Sequence, residues 1–427
     1  MTLKDLSARL HDGSITPGAA VETALAAVAD IEGELKAWVV VDASGARASA
    51  RLLEDSTASR GPLWGVPVGI KDLIDVGGLP TRCGTNLRGN APAEADAECV
   101  QLLRKAGAVI VGKTVTTEFG YFKPGPTRNP ANTAHSPGGS SSGSAAAVGA
   151  RTIPLALGTQ TAGSLTRPAS YCGAAGFVTA RGSFSLVGVA GLSHSLDSLG
   201  FLCQSVSDLR YVWDALRDLS QPTLTPAHDE PFRPLLWDGA ELGEVSEDMS
   251  AALEQAAASV PDGVVQWSDG ELVVGLAEAH ATVMAYEAAR ERAAELPYLK
   301  QLSAPFADLL TAGLNIPEDE YTVALETISA GRYKVLTLLE SFGAILGPAA
   351  LGAAPKFVDG TGTPVLSRPW QALGLPVITI PGLHDRSGMP LGLQLIGRPG
   401  DEDRLFSMAI DLEAALAPSP IPAFPNP

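Results

Sequence analysis

ADAECVQLLRKAGAVIVGKT, residues 95–114, reads as a helix that stops and a strand that begins. Gly107 is the expected stop, because glycine accepts the left-handed backbone that ends a helix. AVIVGKT (108–114) has the unbroken apolar run of a strand buried on both faces. The same alternation extends outward in both directions. GPLWGVPVGIKDLIDV (61–76) is a short β-rich segment that leaves Lys71 at its end. SAAAVGA (144–150) is a small-residue helix, and IPLAL (153–157) is another short apolar strand. Helix and strand alternating from 61 to 205 predict an α/β fold, a large mixed, twisted sheet covered by helices on both faces.

Beyond that core the texture changes. Residues 1–60 look helical, with Leu3, Leu6 and Leu10 on one face and Thr16 placed to cap a helix opening at Pro17. Residues 206–330 are acidic, Ala-rich helical sequence, as in DMSAALEQAAASV (248–260). From 331 to 427 the sheet character returns with GAILGPAA (343–350), LPVITIP (375–381) and PLGLQLIG (390–397), and DEDRLFSMAIDLEAALA (401–417) closes as a helix. Late strands resemble early ones, so a single interrupted domain over 1–427 is expected.

Composition excludes several classes. A net charge of −17 argues against a nucleic-acid surface and against anionic lipid. The four cysteines, Cys83, Cys99, Cys172 and Cys203, are too scattered for a disulfide framework or a zinc site, and reduced thiols in the cytoplasm fit them. The first residues lack the apolar run of a signal peptide, and no stretch is long and apolar enough to span a bilayer. No metal and no organic cofactor are expected.

Two short motifs fail on context. GAVIVGKT (107–114) fits a phosphate-binding loop, but the residues between its glycines are themselves strand. GSSSG (139–143) fits a nucleophile elbow at Ser141, yet SPGG leads into it where a strand is required. The histidines His135, His194, His228, His280 and His384 stand in unremarkable contexts for a partner base.

Three polar features then remain at strand ends or turn-to-helix junctions: Lys71, the serines 140–142 with Ser144, and Ser164 within GTQTAGSLTRPAS (158–170). Each alone has a bland explanation: a solvated lysine paired with Asp72, a helix cap, a tight turn. Together they are chemically complete. A serine needs a base, and a lysine supplies one if burial lowers its pKa from ~10.4 toward 7–8, a shift of roughly 4 kcal/mol. Glycine-rich backbone supplies N–H donors for an oxyanion.

Five ordered blocks carry a resemblance. VPVGIKDLIDVGGLPT (66–81), SPGGSSSGSAAAV (136–148), ALGTQTAGSLTRPASYCGAAGF (156–177), LDSLGFLCQSVSDL (196–209) and LGLPVITIPGLHDRSGMPLGLQLIGRP (373–399) closely resemble the amidase signature family. The resemblance implies Ser164 as the acyl-forming nucleophile, Ser140 as a bridging serine after a cis peptide, and Lys71 as the terminal base. It implies an oxyanion hole from the N–H groups of Thr161, Ala162, Gly163 and Ser164, and a substrate contact at the backbone of Gly139. The chain departs from the commoner Asp-Thr-Gly-Gly-Ser turn at Gln160 and Ala162. Its arginine, Arg167, stands three residues after the serine, with Thr166 in the usual arginine position. That turn borders the acyl pocket, so substrate choice is expected to depend on it.

The expected activity is hydrolysis of a carboxylic amide C–N bond. The expected substrate is a small aromatic, hydrophobic or urea-like amide in a pocket lined by Phe119, Tyr121, Phe122 and Trp64. A homodimer is the expected assembly. The alternatives are a glutaminase subunit that feeds ammonia to a partner, and an inactive scaffold.

Overall fold

A computed structural model describes residues 1–220 and 233–416. Eleven strands form one continuous sheet. In chain order they are β1 (Trp38–Val41), β2 (Pro67–Lys71), β3 (Val109–Thr114), β4 (Leu155–Gln160), β5 (Ala175–Val178), β6 (Ser198–Cys203), β7 (Leu235–Leu236), β8 (Val265–Gln266), β9 (Ile345–Pro348), β10 (Val377–His384) and β11 (Pro390–Ile396). Their spatial order is β1-β3-β2-β4-β6-β5-β10-β11-β9-β7-β8. β2 lies parallel to both β3 and β4, whereas β6, β5, β10, β11 and β9 continue the sheet antiparallel. The sheet is therefore mixed, as expected.

Successive strand residues face opposite sides, and both sides are covered. Leu155 and Leu157 of β4 join one apolar core, while Ala156 between them joins another. The first core is completed by α1 (Leu3–His11), α4 (Glu98–Lys105), α7 (Val206–Ser220), α8 (Glu247–Ala258) and α13 (Glu402–Leu416). The second is covered by α5 (Ser142–Gly149), α6 (Thr166–Cys172), α9 (Gly270–Glu291), α10 (Ala304–Asn315), α11 (Glu318–Phe342) and α12 (Arg368–Ala372). α2 (Pro17–Leu35) and α3 (Ala43–Asp55) close over β3, burying Val21, Leu25, Ala46 and Ala50 with Val109 and Val111.

The local signals act where the sequence placed them. Thr16 Oγ1 accepts the Ala19 N–H at 3.2 Å, with Pro17 in the first helical position. Leu3, Leu6 and Leu10 are buried together. Gly107 follows α4 at φ 92°, and a Cβ there would stand 2.7 Å from Trp64 Cα. Two expectations change. The segment 206–330 is not purely helical, since β7 and β8 extend the sheet edge from within it. A boundary at 330/331 also falls inside α11. Among the described residues no helix is long and apolar enough to cross a membrane, and the four cysteines are buried and unpaired.

Candidate active site

Parallel neighbours present their C-terminal ends at one sheet edge, where the following loops converge. β2 ends there at Lys71 and β4 at Gln160, in register through Ile70 and Leu157. Ser164 lies in the turn from β4 to α6, and Ser140 in the turn that opens α5. The Gly139–Ser140 peptide is cis. A Cβ at Gly139 would come within 2.9 Å of Thr117 Cγ2, so a larger residue there would force the Thr117 side chain to shift. The Ser141 N–H donates to Ser164 O at 3.0 Å and ties the two turns together. Ser140 and Ser164 line one open cleft.

Lys71 is completely buried, with three polar neighbours for its Nζ. These are Ser140 Oγ at 2.7 Å, Thr159 Oγ1 at 2.8 Å and Thr159 O at 3.2 Å. A neutral amine has two N–H donors and one lone pair. It can donate both hydrogens to Thr159 and accept the Ser140 proton. Burial supports that state: it brings the lysine down to about 7, with the charge of Asp197 opposing. Asp72 is not its partner. Asp72 Oδ1 instead lies 3.0 Å from Lys113 Nζ, inside the core. That ion pair also disposes of the phosphate-loop motif, whose lysine this is.

The turn after β4 is held from several sides. The Gln160 side chain accepts the N–H groups of Leu165 at 2.9 Å and Thr166 at 3.0 Å, and donates to Gln371 Oε1 at 3.1 Å. It is buried framework and does not border the cleft. The expectation that this departure sets substrate choice is corrected at Gln160. Ala162 and Arg167 do line the cleft. The Thr161 hydroxyl donates to Asp197 Oδ1, and Thr161 O accepts from His280 Nε2 at 2.8 Å. No acceptor is found among the described residues for the N–H groups of Ala162, Gly163 and Ser164, which are free for a ligand oxygen.

Arg167 is 4% exposed. Its Nη2 donates to Gly139 O at 2.7 Å, while Nε and Nη1 have no partner among the described residues. Burial lowers the guanidinium to about 10, so it keeps its charge at neutral pH. The half-buried Arg368 adds a second guanidinium whose positive charge acts on Arg167. No aspartate or glutamate lines this cleft among the described residues.

The aromatic expectations divide. Tyr121 and Phe122 line the cleft, their rings edge-on at 4.8 Å. Phe119 lies behind it, beside Ser140, Thr159 and Asp197, and stacks on Phe306 at 5.2 Å. Trp64 is a correction. It packs against His11 beneath the Arg60 guanidinium, 4.1 Å from its ring, in the core on the other sheet face. Ser141 is fully buried and its Oγ donates to Thr159 O at 3.3 Å, which leaves no exposed elbow. Sequence reasoning missed Asp197, His280 and the pairing of Lys71 with Thr159. Asp197 belongs to the conspicuous stretch LDSLGFLCQSVSDL (196–209), whereas His280 carried no local signal. His228 lies outside the described residues.

The Amidase family profile matches residues 19–260. The chain is 33% identical to a glutamyl-tRNA(Gln) amidotransferase subunit of Anaeromyxobacter sp. (strain K), over 99% of this chain and 98% of the relative. It is 34% identical to the AtzE subunit of the 1-carboxybiuret hydrolase of Pseudomonas sp. (strain ADP), over 89% and 91%. The native peptide amidase structure from Stenotrophomonas maltophilia superposes with TM-score 0.84 at 26% identity, covering 100% of this chain and 99% of that one. The chain belongs to the amidase signature family. It is an amidase-signature hydrolase acting on carbon–nitrogen bonds.

Proposed function

We propose that the protein hydrolyses a small amide or urea-like amide that carries a carboxylate, through an acyl-enzyme on Ser164. In this reading Ser164 Oγ attacks the amide carbonyl, its proton passes to Ser140, and the Ser140 proton passes to Lys71 Nζ. The N–H groups from Thr161 to Ser164 receive the oxyanion. The proton returns through Ser140 to the leaving nitrogen as the C–N bond breaks. Water then attacks the Ser164 ester along the same relay, releasing the acid.

One observation carries the substrate class: the buried Arg167, with two donors unpartnered among the described residues, lines a cleft to which no described aspartate or glutamate contributes. A buried cation is costly unless an anion meets it, and a guanidinium suits a carboxylate. This replaces the aromatic amide expected from Phe119, Tyr121, Phe122 and Trp64. The carboxylated urea-type compound in the name of the Pseudomonas relative is consistent with it. Glutamine, suggested by the amidotransferase relatives, also carries a carboxylate. Its ammonium, however, would find no acidic partner among the residues lining the cleft.

Ammonia release is the test. Monoamides of short dicarboxylic acids are expected to exceed neutral isosteres and glutamine by about 10²-fold in kcat/KM, and R167M to erase that preference. Equal turnover of neutral amides by the wild-type protein would refute the assignment.

A further inference from the structure

α9 lies outside the five sequence blocks, yet it reaches the proposed oxyanion turn by two routes. His280 and Glu287 are seven residues apart, two helical turns, and so share a face. The first route is direct. His280 is fully buried, and its Nε2 donates to Thr161 O at 2.8 Å. Because a carbonyl only accepts, the ring proton sits on Nε2, and Nδ1 is left without a partner among the described residues. A second ring proton would be buried and unsatisfied. Burial accordingly lowers the imidazole to about 3 and keeps it neutral.

The second route runs through the loop before β6. Glu287 Oε2 accepts from Ser193 Oγ at 2.5 Å and from the Ser195 N–H at 2.9 Å. Glu287 Oε1 accepts from the Tyr321 hydroxyl at 2.8 Å. The loop so held presents Asp197, whose Oδ2 accepts the N–H groups of Leu192 at 2.8 Å and Ser193 at 3.1 Å. Asp197 Oδ1 accepts the Thr161 hydroxyl. Thr161 is thus gripped at its carbonyl by α9 and at its side chain by a loop that α9 holds.

We infer that His280 is a positioning residue for the oxyanion hole, fixing the plane of the Thr161–Ala162 peptide so that the Ala162 N–H is preset for the developing charge. The reason is the geometry of a trans peptide, in which C=O and N–H point in opposite directions. With Thr161 O held by His280, the Ala162 N–H must point away from the imidazole, and it has no acceptor among the described residues. A hydrogen bond to the carbonyl also polarises the peptide and strengthens its N–H as a donor. The inference rests on the proposed reading of residues 161–164 as the oxyanion hole.

The full-length protein tests it with H280F, which removes the donor, and H280Q, whose amide can still donate to Thr161 O. Two rates are measured: kcat for the fastest monoamide, and phosphonylation of Ser164 by a fluorophosphonate, whose phosphoryl oxygen takes up charge in the same hole. H280F is expected to lower both by about 10²-fold with KM changed by less than about threefold, and H280Q to recover most of the loss. An H280F protein with both rates within about threefold of wild type, or with only KM changed, overturns the inference. Where H280F does not accumulate as folded protein, H280M carries the same comparison. A wild-type protein that takes no label, or that labels equally as S164A, instead defeats the reading of the site itself.

Discussion

Two lysines lie side by side in the sheet and do different things. Lys71 ends β2, and Lys113, opposite Ile70 on β3, is one residue from the end of its strand. Neither has any solvent exposure. Lys113 meets a carboxylate, Asp72 at 3.0 Å, and is further held by Thr81 Oγ1 at 2.8 Å and Pro80 O at 3.2 Å. Among the described residues Lys71 meets only neutral oxygens, those of Ser140 and Thr159. Burial pulls both lysines down, but at Lys113 a contacting carboxylate opposes it, while at Lys71 the opposing Asp197 acts without contact. One lysine is a fastening; the other is equipped to be a base. Burial alone makes neither, and the adjacent atom decides.

The sharpest way to break this comparison is to remove each amine. K71M is expected to lower kcat/KM by about 10⁴-fold or more while the protein stays folded, because the proton relay loses its acceptor. K113M is expected to act on stability, by roughly 3–5 kcal/mol in denaturant unfolding, because it strands the Asp72 carboxylate in the core. The double variant K113M/D72L should regain most of that loss. If K113M abolished turnover in molecules that remain folded, the division of roles would be wrong.

A smaller effect sharpens the same contrast through pH. The proposed base must be neutral, so kcat/KM should rise with pH through about 7. The folded value of Lys71 lies below its unfolded value of 10.5. Between the two, the unfolded chain holds the extra proton. Stability therefore rises with pH across that window, by up to about 1.4 kcal/mol per unit from this group. K71M should flatten the rise by one proton, whereas a K71M profile parallel to wild type would mean that Lys71 keeps its proton when folded.

Legibility followed distance along the chain. Thr16 with Pro17, Gly107 after α4 and the leucines of α1 are short-range signals, and each acts as read. The cleft residues Ser140 and Ser164 are legible only jointly with Lys71 and through the family resemblance, because a helix cap or a tight turn explains each serine locally. Trp64 differs from expectation because an aromatic ring beside a strand carries no label for the sheet face it packs on. Gln160 differs for a similar reason: its position in the turn is plain, but its tie to Gln371, 211 residues away, is not.

The sequence by itself determined the alternation of elements and the covered sheet, since periodicity, caps and glycine turns are properties of neighbouring residues, whereas Ser164, Ser140 and Lys71 were singled out as a set by the family resemblance. Only the tertiary structure decided which lysine has an acid, that Arg167 is buried beside the cleft with donors unpartnered among the described residues, and that His280 on α9 grips Thr161. Those outcomes depend on strand order and helix placement, which bring together side chains far apart along the chain and leave no pattern in either segment alone.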